Sequence, residues 1–314
     1  MKDTFNREVD YLRISITDLC NLRCLYCMPK DGIKKIEHAF IISPERIKEI
    51  VDSASELGIK KIRLTGGEPL VRKGLINIIK LIRQNPKIEE LCLTTNGVGL
   101  SKVANELYEV GVDRLNISLD TLDEKKYKYI TRNGELKDVL EGIEVAQKEG
   151  FKNTKINVVL IGGFNDDEIE EFARFAGKYS LTVRFIELMP IGESAKFSKE
   201  SFIENNIVLS HLNNLEKVSS DGVSSLYRIK GTEGYIGLIS PMSKKFCETC
   251  SRIRLTSDGK IKPCLHSKCE IDLNGLSGVE LTNKIKEAIL AKPKEHHLES
   301  GHSDSLREMN KIGG

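Results

Sequence analysis

Tyr11-Leu12-Arg13-Ile14-Ser15-Ile16-Thr17-Asp18-Leu19-Cys20-Asn21-Leu22-Arg23-Cys24-Leu25-Tyr26-Cys27 decides how the rest of the chain is read. A strand-like apolar run, Tyr11 to Thr17, leads directly into Cys20, Cys24 and Cys27. An iron–sulfur cluster normally takes four thiolates, so a compact C-x3-C-x2-C set suits three irons and leaves the fourth open to a ligand that is not protein. In a chain with few cysteines the pattern is specific. The plain alternative is three unconnected thiols in a loop.

Outward from this stretch, short β-branched runs alternate with amphipathic helical stretches as far as about residue 187, which indicates repeated βα units around a parallel sheet. The strands read as Tyr11 to Thr17, Lys61 to Thr65, Glu90 to Thr95, Arg114 to Ser118, Thr154 to Leu160 and Thr182 to Glu187. Ser43 can cap the first helix, Pro44 suits its first position, Ile47, Ile50, Val51, Ala54 and Leu57 form one apolar stripe, and Gly58 ends it. Leu136, Val139, Leu140, Ile143 and Ala146 before Gly150, and Ile169, Phe172, Ala173 and Ala176, repeat that logic. Such stripes are core by default. Parallel βα architectures place their ligands beyond the carboxyl ends of the strands. Those ends here carry Cys20 to Cys27, Gly66-Gly67-Glu68, Thr94 to Gly97, Ser118 and Met189.

The alternation stops after Met189, and a soft boundary near residue 195 divides a region 1–195 from a region 196–314. The tail from Lys292 onward is polar and ends Ile312-Gly313-Gly314, which by composition reads as a frayed terminus with His296, His297 and His302 exposed to solvent. Cys92 lies inside an apolar strand and reads as inert packing.

The 314 residues can bury one large core or two ordinary ones, and no disulfide staple is needed. Eight Cys, no apolar leader segment and no run of roughly 20 apolar residues predict a cytoplasmic protein that uses thiols for metal or redox chemistry. The 48 basic and 46 acidic residues, a net charge of +2, supply no global field for nucleic acid or an anionic membrane. An anionic ligand therefore needs a local cluster of cations.

A second set, Cys247-x2-Cys250-x13-Cys264, is again a triplet. Zinc competes with a cluster here, because Cys269 could complete a tetrahedral site. Arg252 and Arg254 follow Cys250 at alternate positions of an extended segment and so would point the same way, as a fork suited to phosphate oxygens. Two glycines in Gly66-Gly67-Glu68-Pro69 permit a close backbone approach that a Cβ would block.

The triplet followed one unit later by this glycine turn resembles the radical S-adenosylmethionine (SAM) superfamily. The resemblance narrows to the GTP 3′,8-cyclase family of molybdenum cofactor biosynthesis through Arg13 to Asp18, Lys61 to Leu70, Leu93 to Gly97, Asn116 to Asp120, Arg184 to Glu187, the second triplet and the terminal Gly313-Gly314. It implies a partial (β/α)6 TIM-like barrel with a C-terminal iron–sulfur extension. It implies a cluster on Cys20, Cys24 and Cys27 and contacts to SAM from Tyr26, Gly67, Ser118 and Met189. Arg13, Arg63, Thr94, Lys155, Arg252, Ile253 and Arg254 would contact GTP, with Arg252, Arg254, Gly313 and Gly314 at the reaction itself. Cys247, Cys250 and Cys264 would hold a second [4Fe-4S] cluster facing the guanine.

Lys155 sits early in its strand, and its role rests on the resemblance alone. Leu19 stands where family members often carry Arg, and Cys269 is additional. Partners implied are a ferredoxin- or flavodoxin-type electron donor and the downstream cyclic pyranopterin monophosphate synthase, with a homodimer allowed and neither nucleic acid nor membrane involved. Two alternatives remain open: a peptide-modifying relative with an auxiliary cluster, and a zinc-stabilised binding module. The second leaves the first triplet and the glycine turn without a job.

Overall fold

The computed structural model describes the chain except residues 34–35, 221–222, 299–300 and 313–314. The expected terminal pair Gly313 and Gly314 thus lies outside the described residues.

Six parallel strands, β1 (Tyr11–Ser15), β2 (Lys61–Thr65), β3 (Glu90–Thr95), β4 (Arg114–Ser118), β5 (Lys155–Leu160) and β6 (Thr182–Glu187), follow one another in the sheet in chain order. The later strands are β7 (Leu215–Ser220), β8 (Ser225–Ile229), β9 (Tyr235–Ile239), β10 (Arg252–Leu255), β11 (Lys260–Lys262) and β12 (Ile271–Asp272). β9 joins parallel to β6 and continues antiparallel into β8 and β7, while β10 joins parallel to β1 and continues antiparallel into β11 and β12. The result is one open sheet of twelve strands, a partial barrel. Its edges are prolonged by antiparallel hairpins, which need only short connections. No helix among the described residues is long and apolar enough to cross a membrane.

Helix α1 (Pro44–Glu56) begins as its sequence requires, with Ser43 Oγ accepting from the amide of Arg46 and Pro44 in the first turn, and buries Ile47, Ile50, Val51 and Ala54. Leu57 is its C-cap and is only partly buried. Helices α2 (Leu75–Arg83), α3 (Ala104–Glu109), α4 (Glu124–Thr131), α5 (Leu136–Lys148) and α6 (Ile169–Tyr179) cover the same outer face. α6 buries all four expected apolar residues, whereas in α5 Gly142 is buried and Leu140 only partly so. Beyond them lie α7 (Asn206–His211), α8 (Gly278–Leu290) and the short α9 (Met309–Ile312).

Leu12, Ile14, Ile62, Leu64, Leu91, Leu93, Leu115, Ile117, Ile156 and Val158 join the helices in one core. Strand side chains alternate between faces, so Arg13, Arg63, Cys92, Arg114, Asn116, Lys155, Asn157 and Arg184 share the inner face.

Two expectations about the tail are corrected. Lys292, Leu298, Asn310 and Ile312 are buried, so the segment after Lys292 packs on the protein instead of fraying at its surface. His296 is buried with its ring edge-on to His266, centroids 4.9 Å apart, while His297 and His302 are exposed as expected. Composition misled here because polar contacts, discussed below, hold the tail in place. Cys92 is buried as expected, yet it lies 3.4 Å from both Glu90 Oε1 and Arg114 Nη2, on the polar face and not among aliphatic side chains.

Candidate active site

The first cysteine loop leaves β1 and is gripped from the end of α4. The amides of Arg23 and Leu25 donate to the carbonyls of Thr131 and Ile130 at 3.1 and 2.9 Å, and Arg132 Nη1 donates to the carbonyls of Arg23 and Met28, both at 2.9 Å. Within the loop, the amides of Cys27 and Met28 donate to the carbonyl of Cys24. Underneath runs the glycine turn. The Gly67 amide donates to the carbonyl of Thr17 and that of Glu68 to Leu19, each at 2.7 Å, and a Cβ at Gly67 would stand 2.2 Å from the Leu19 carbonyl oxygen. The glycine is therefore required by the loop's own backbone before any ligand is considered.

Carboxylates surround this loop. Glu68, buried, accepts from Thr95 Oγ1 at 2.7 Å and from the amides of Asn96 and Leu70, and Asn96 Nδ2 reaches Asn21 Oδ1 at 2.8 Å. Burial raises the Glu68 carboxyl to about 7 despite those bonds. Tyr26 donates its hydroxyl to Asp120 Oδ2 at 2.8 Å, and Asp120, also buried, is raised to about 6 by desolvation. The thiols follow the same rule. Burial raises Cys20, Cys24 and Cys27, the last to about 12, and Glu68, Asp120 and Glu308 add to the effect. Ser118 ends β4 opposite Asn157, and the carbonyl of Met189 accepts from Ser194 Oγ at 2.5 Å just beyond β6.

Around the second triplet burial raises Cys247 as it does the first three thiols, but the charges nearest Cys250 are basic. Arg254, Arg13 and Arg63 are register partners across β10, β1 and β2, a row of three guanidinium groups on the inner face. Mutual proximity and burial push Arg13 and Arg254 downward, the latter to about 10, with burial the larger cause in each. Burial also works against the charge of Arg63, but Tyr11, which accepts from its Nε, and Glu90 more than offset that. Arg252 lies over the ring of Phe246 at 5.2 Å, and Ile253 between the two arginines turns fully into the core, so only its backbone faces inward. Burial would raise the Cys250 thiol, yet Arg252 and Lys292 bring it down to about 6, Lys292 Nζ lying 3.5 Å from its Sγ. Cys247 is tied to the N-terminus through its carbonyl, which accepts from Arg7 Nη1 at 2.9 Å. Cys269 is exposed.

Lys155 falls into place through register rather than through its position along the strand: Thr94, Asn116, Lys155 and Thr182 are successive partners across β3 to β6. Arg13, Arg63, Arg254, Thr94 and Lys155 therefore share the inner face, whereas the Ile253 side chain does not and Gly313 and Gly314 lie outside the described residues. Sequence reasoning placed Glu68 on the rim without giving it a role, and missed Asp120, Lys292, Arg132 and Arg184 as contributors to the site. A lone arginine between apolar neighbours in a buried parallel strand was the available signal for Arg184.

The residues suit the implied groups. Asn116 Oδ1 and Asn157 Oδ1 are buried on the inner face without a hydrogen-bond partner, a state that buried polar atoms rarely keep.

Comparison with known proteins agrees with this geometry. Residues 14–176 match the profile of the radical SAM superfamily, and residues 181–298 match Molybdenum Cofactor Synthesis C. The chain is 49% identical to the GTP 3',8-cyclase of Alkaliphilus metalliredigens over 324 aligned residues covering both chains fully, and 50% identical to that of Peptoclostridium acidaminophilum over 318, covering 99% of this chain and 98% of the relative. Among solved structures, Streptococcus suis SuiB bound to S-adenosylmethionine superposes with a TM-score of 0.61 at 16% identity, covering 89% of this chain and 64% of that one. Native anSMEcpe with bound AdoMet gives 0.59 at 17%, covering 88% and 82%. These two likenesses concern the fold. The sequence relatives and the superfamily profile, meeting on a barrel whose cysteine loop and glycine turn interlock, place the chain in the radical SAM superfamily and, within it, in the GTP 3',8-cyclase family.

Proposed function

We infer that this chain converts GTP to (8S)-3′,8-cyclo-7,8-dihydroguanosine 5′-triphosphate, the first step of molybdenum cofactor biosynthesis. The observation that carries the substrate reading is the row Arg254, Arg13 and Arg63 beside Arg252. A triphosphate of charge about −4 needs several fixed cations, and guanidinium forks match its oxygens. When bound, a cluster held by Cys20, Cys24 and Cys27 would supply the electron for reductive cleavage of SAM and, with it, the radical chemistry at C3′ of the GTP ribose.

The chain's own residues would do the rest. Cys20, Cys24 and Cys27 would hold the first cluster, and Cys247, Cys250 and Cys264 the second. Tyr26, Gly67, Ser118 and Met189 would bound the SAM site, where Glu68 and Asp120 hold the loops. Arg13, Arg63, Thr94, Lys155, Arg252, Arg254 and the Ile253 backbone would position GTP so that C3′ is exposed to the radical and C8 lies next to it. The carboxyl tail, through Gly313 and Gly314, would complete the enclosure at the reacting atoms. The reading takes the chain as two regions meeting near residue 195, working in the cytoplasm with a low-potential ferredoxin- or flavodoxin-type donor and handing its product to a cyclic pyranopterin monophosphate synthase.

Anaerobic incubation of reconstituted enzyme with SAM, GTP and a strong reductant tests it. The product should be an isomer of GTP, because the hydrogen atom lost from C3′ is balanced by the electron and proton gained later. 5′-Deoxyadenosine should form only when GTP is present. Formation of 5′-deoxyadenosine without any change in GTP would overturn the assignment.

A further inference from the structure

The tail carries one cation with an unusual set of partners. Arg307 Nε and Nη2 donate to Glu270 Oε1 and Oε2 at 2.6 and 2.7 Å, and Nη1 and Nη2 donate to Asp258 Oδ1 and Oδ2, both at 2.9 Å. One guanidinium thus grips two carboxylates, each through both oxygens. The three side chains are only 15 to 21% exposed, which separates this network from the exposed pairs that contribute little. Glu270 also accepts from Lys262 Nζ at 3.1 Å. Lys262 is fully buried and donates to the carbonyl of Ser267 at 2.7 Å. Asp258 stands in the β10–β11 turn, where Thr256 Oγ1 bonds it at 2.5 Å.

These anchors belong to the second cysteine segment, since Lys262 and Glu270 bracket Cys264 and Cys269. The residues just past Arg307 belong to the first. Asn310 Nδ2 donates to the carbonyl of Asp18 at 3.2 Å, the Asn310 backbone hydrogen-bonds the Cys27 thiol, Glu308 packs against Gly192, and Ile312 is fully buried. Three residues span at most roughly 10 Å, so Arg307 sets where the chain beyond it begins. Leu306 beside it is 94% exposed, and Ser303 Oγ meets His266 Nδ1 at 3.3 Å and accepts from the Ser305 amide at 3.3 Å, so the Arg307 network is the charged anchor of this stretch.

We propose that Arg307 is a positioning residue that clamps the carboxyl tail to the second cysteine segment and so aims the tail's last residues at the first cysteine loop. The inference rests on the reading above that the tail takes part in the reaction. It adds a linkage: whatever orders residues 262–270, including filling of the second cluster site, favours seating of the tail, and by reciprocity a seated tail favours the filled site.

Hydrogen exchange over residues 303–312 in the reconstituted holoenzyme, read beside product formation, tests the clamp. In Arg307→Ala, exchange at 308–312 should quicken by at least ~10-fold, the scale of losing charge-assisted bonds, and cyclised product should fall at least as far, with SAM affinity within about twofold of wild type. Arg307→Lys keeps the charge without the fork and should fall between. Asp258→Asn, in a chain retaining Arg307, should reproduce the direction of both changes and stands in should the alanine variant not fold. Removal of iron from wild type should quicken the same exchange, and in Arg307→Ala should add little. Unchanged exchange, or faster exchange with undiminished product, would overturn the clamp. Deleting Gly313 and Gly314 from an otherwise unaltered chain separates the two readings. An active deletion refutes the tail's part in the reaction, whereas an inactive deletion beside a fully active Arg307→Ala refutes the clamp alone.

Discussion

The two cysteine triplets have the same ligand count, but carboxylates lie near the first and cations near Cys250 of the second. Around Cys20, Cys24 and Cys27 stand Glu68, Asp120 and Glu308, and the thiols are pushed upward. Around Cys250 stand Arg252 and Lys292, with Arg254 and Arg13 behind them, and the thiol is pushed down to about 6. Two like sites would divide no labour. A ring of carboxylates suits a site that receives an ammonium and a sulfonium, and a ring of guanidinium groups suits a polyphosphate. The difference between the triplets supports the proposed placing of SAM beside the first and GTP beside the second.

The largest effects should come from removing ligands. Cys24→Ala and Cys264→Ala should each lower iron from about eight to about four per chain, but only Cys24→Ala should abolish SAM cleavage even with artificial reductants. Iron and sulfide analysis with a 5′-deoxyadenosine assay reads both, and equal loss of cleavage in the two variants would erase the division of labour. Next in size, Arg254→Ala or Arg252→Ala should weaken GTP by about 10- to 100-fold while SAM affinity stays within about twofold. Equilibrium binding of each ligand decides this, and a parallel loss of SAM affinity would break the comparison.

The acidic side has its own pH signature. Glu68, raised to about 7 against an unfolded value near 4.5, contributes stability that is full below pH 4.5 and is lost as pH rises through 7, about 3 kcal/mol from this group in the apo protein. Denaturant unfolding between pH 4.5 and 8 should show that slope, and Glu68→Gln should flatten it. Smallest, Tyr26→Phe removes the 2.8 Å bond to Asp120 and should cost about 1.5 kcal/mol, seen as a lowered midpoint in the same titration, with GTP affinity untouched.

Much of the frame was legible. All six parallel strands fall within two residues of their expected ends, because β-branched runs between capped helices leave little choice. Ser43 and Pro44 start α1 for local reasons. Leu140 packs against the core but is only partly buried, and Gly142 is buried because Gly97 and Leu100 approach closely there, a contact that periodicity does not contain. The tail was misread for a related reason. Hydropathy does not register that Arg307 finds two carboxylates far away in the chain.

By itself the sequence determined the two triplets, the glycine turn, the Arg252/Arg254 fork and the order of βα units, since each depends on residues near one another in the chain. Only the tertiary structure decided that Gly67 is required by the Leu19 backbone, that Lys155 lies level with Thr94, that three arginines from three strands form one row, and that carboxylates lie near one triplet and cations near Cys250 of the other. The physical reason is the same throughout. Register across a sheet and charge through a buried interior are sums over distant segments, and no local pattern encodes them.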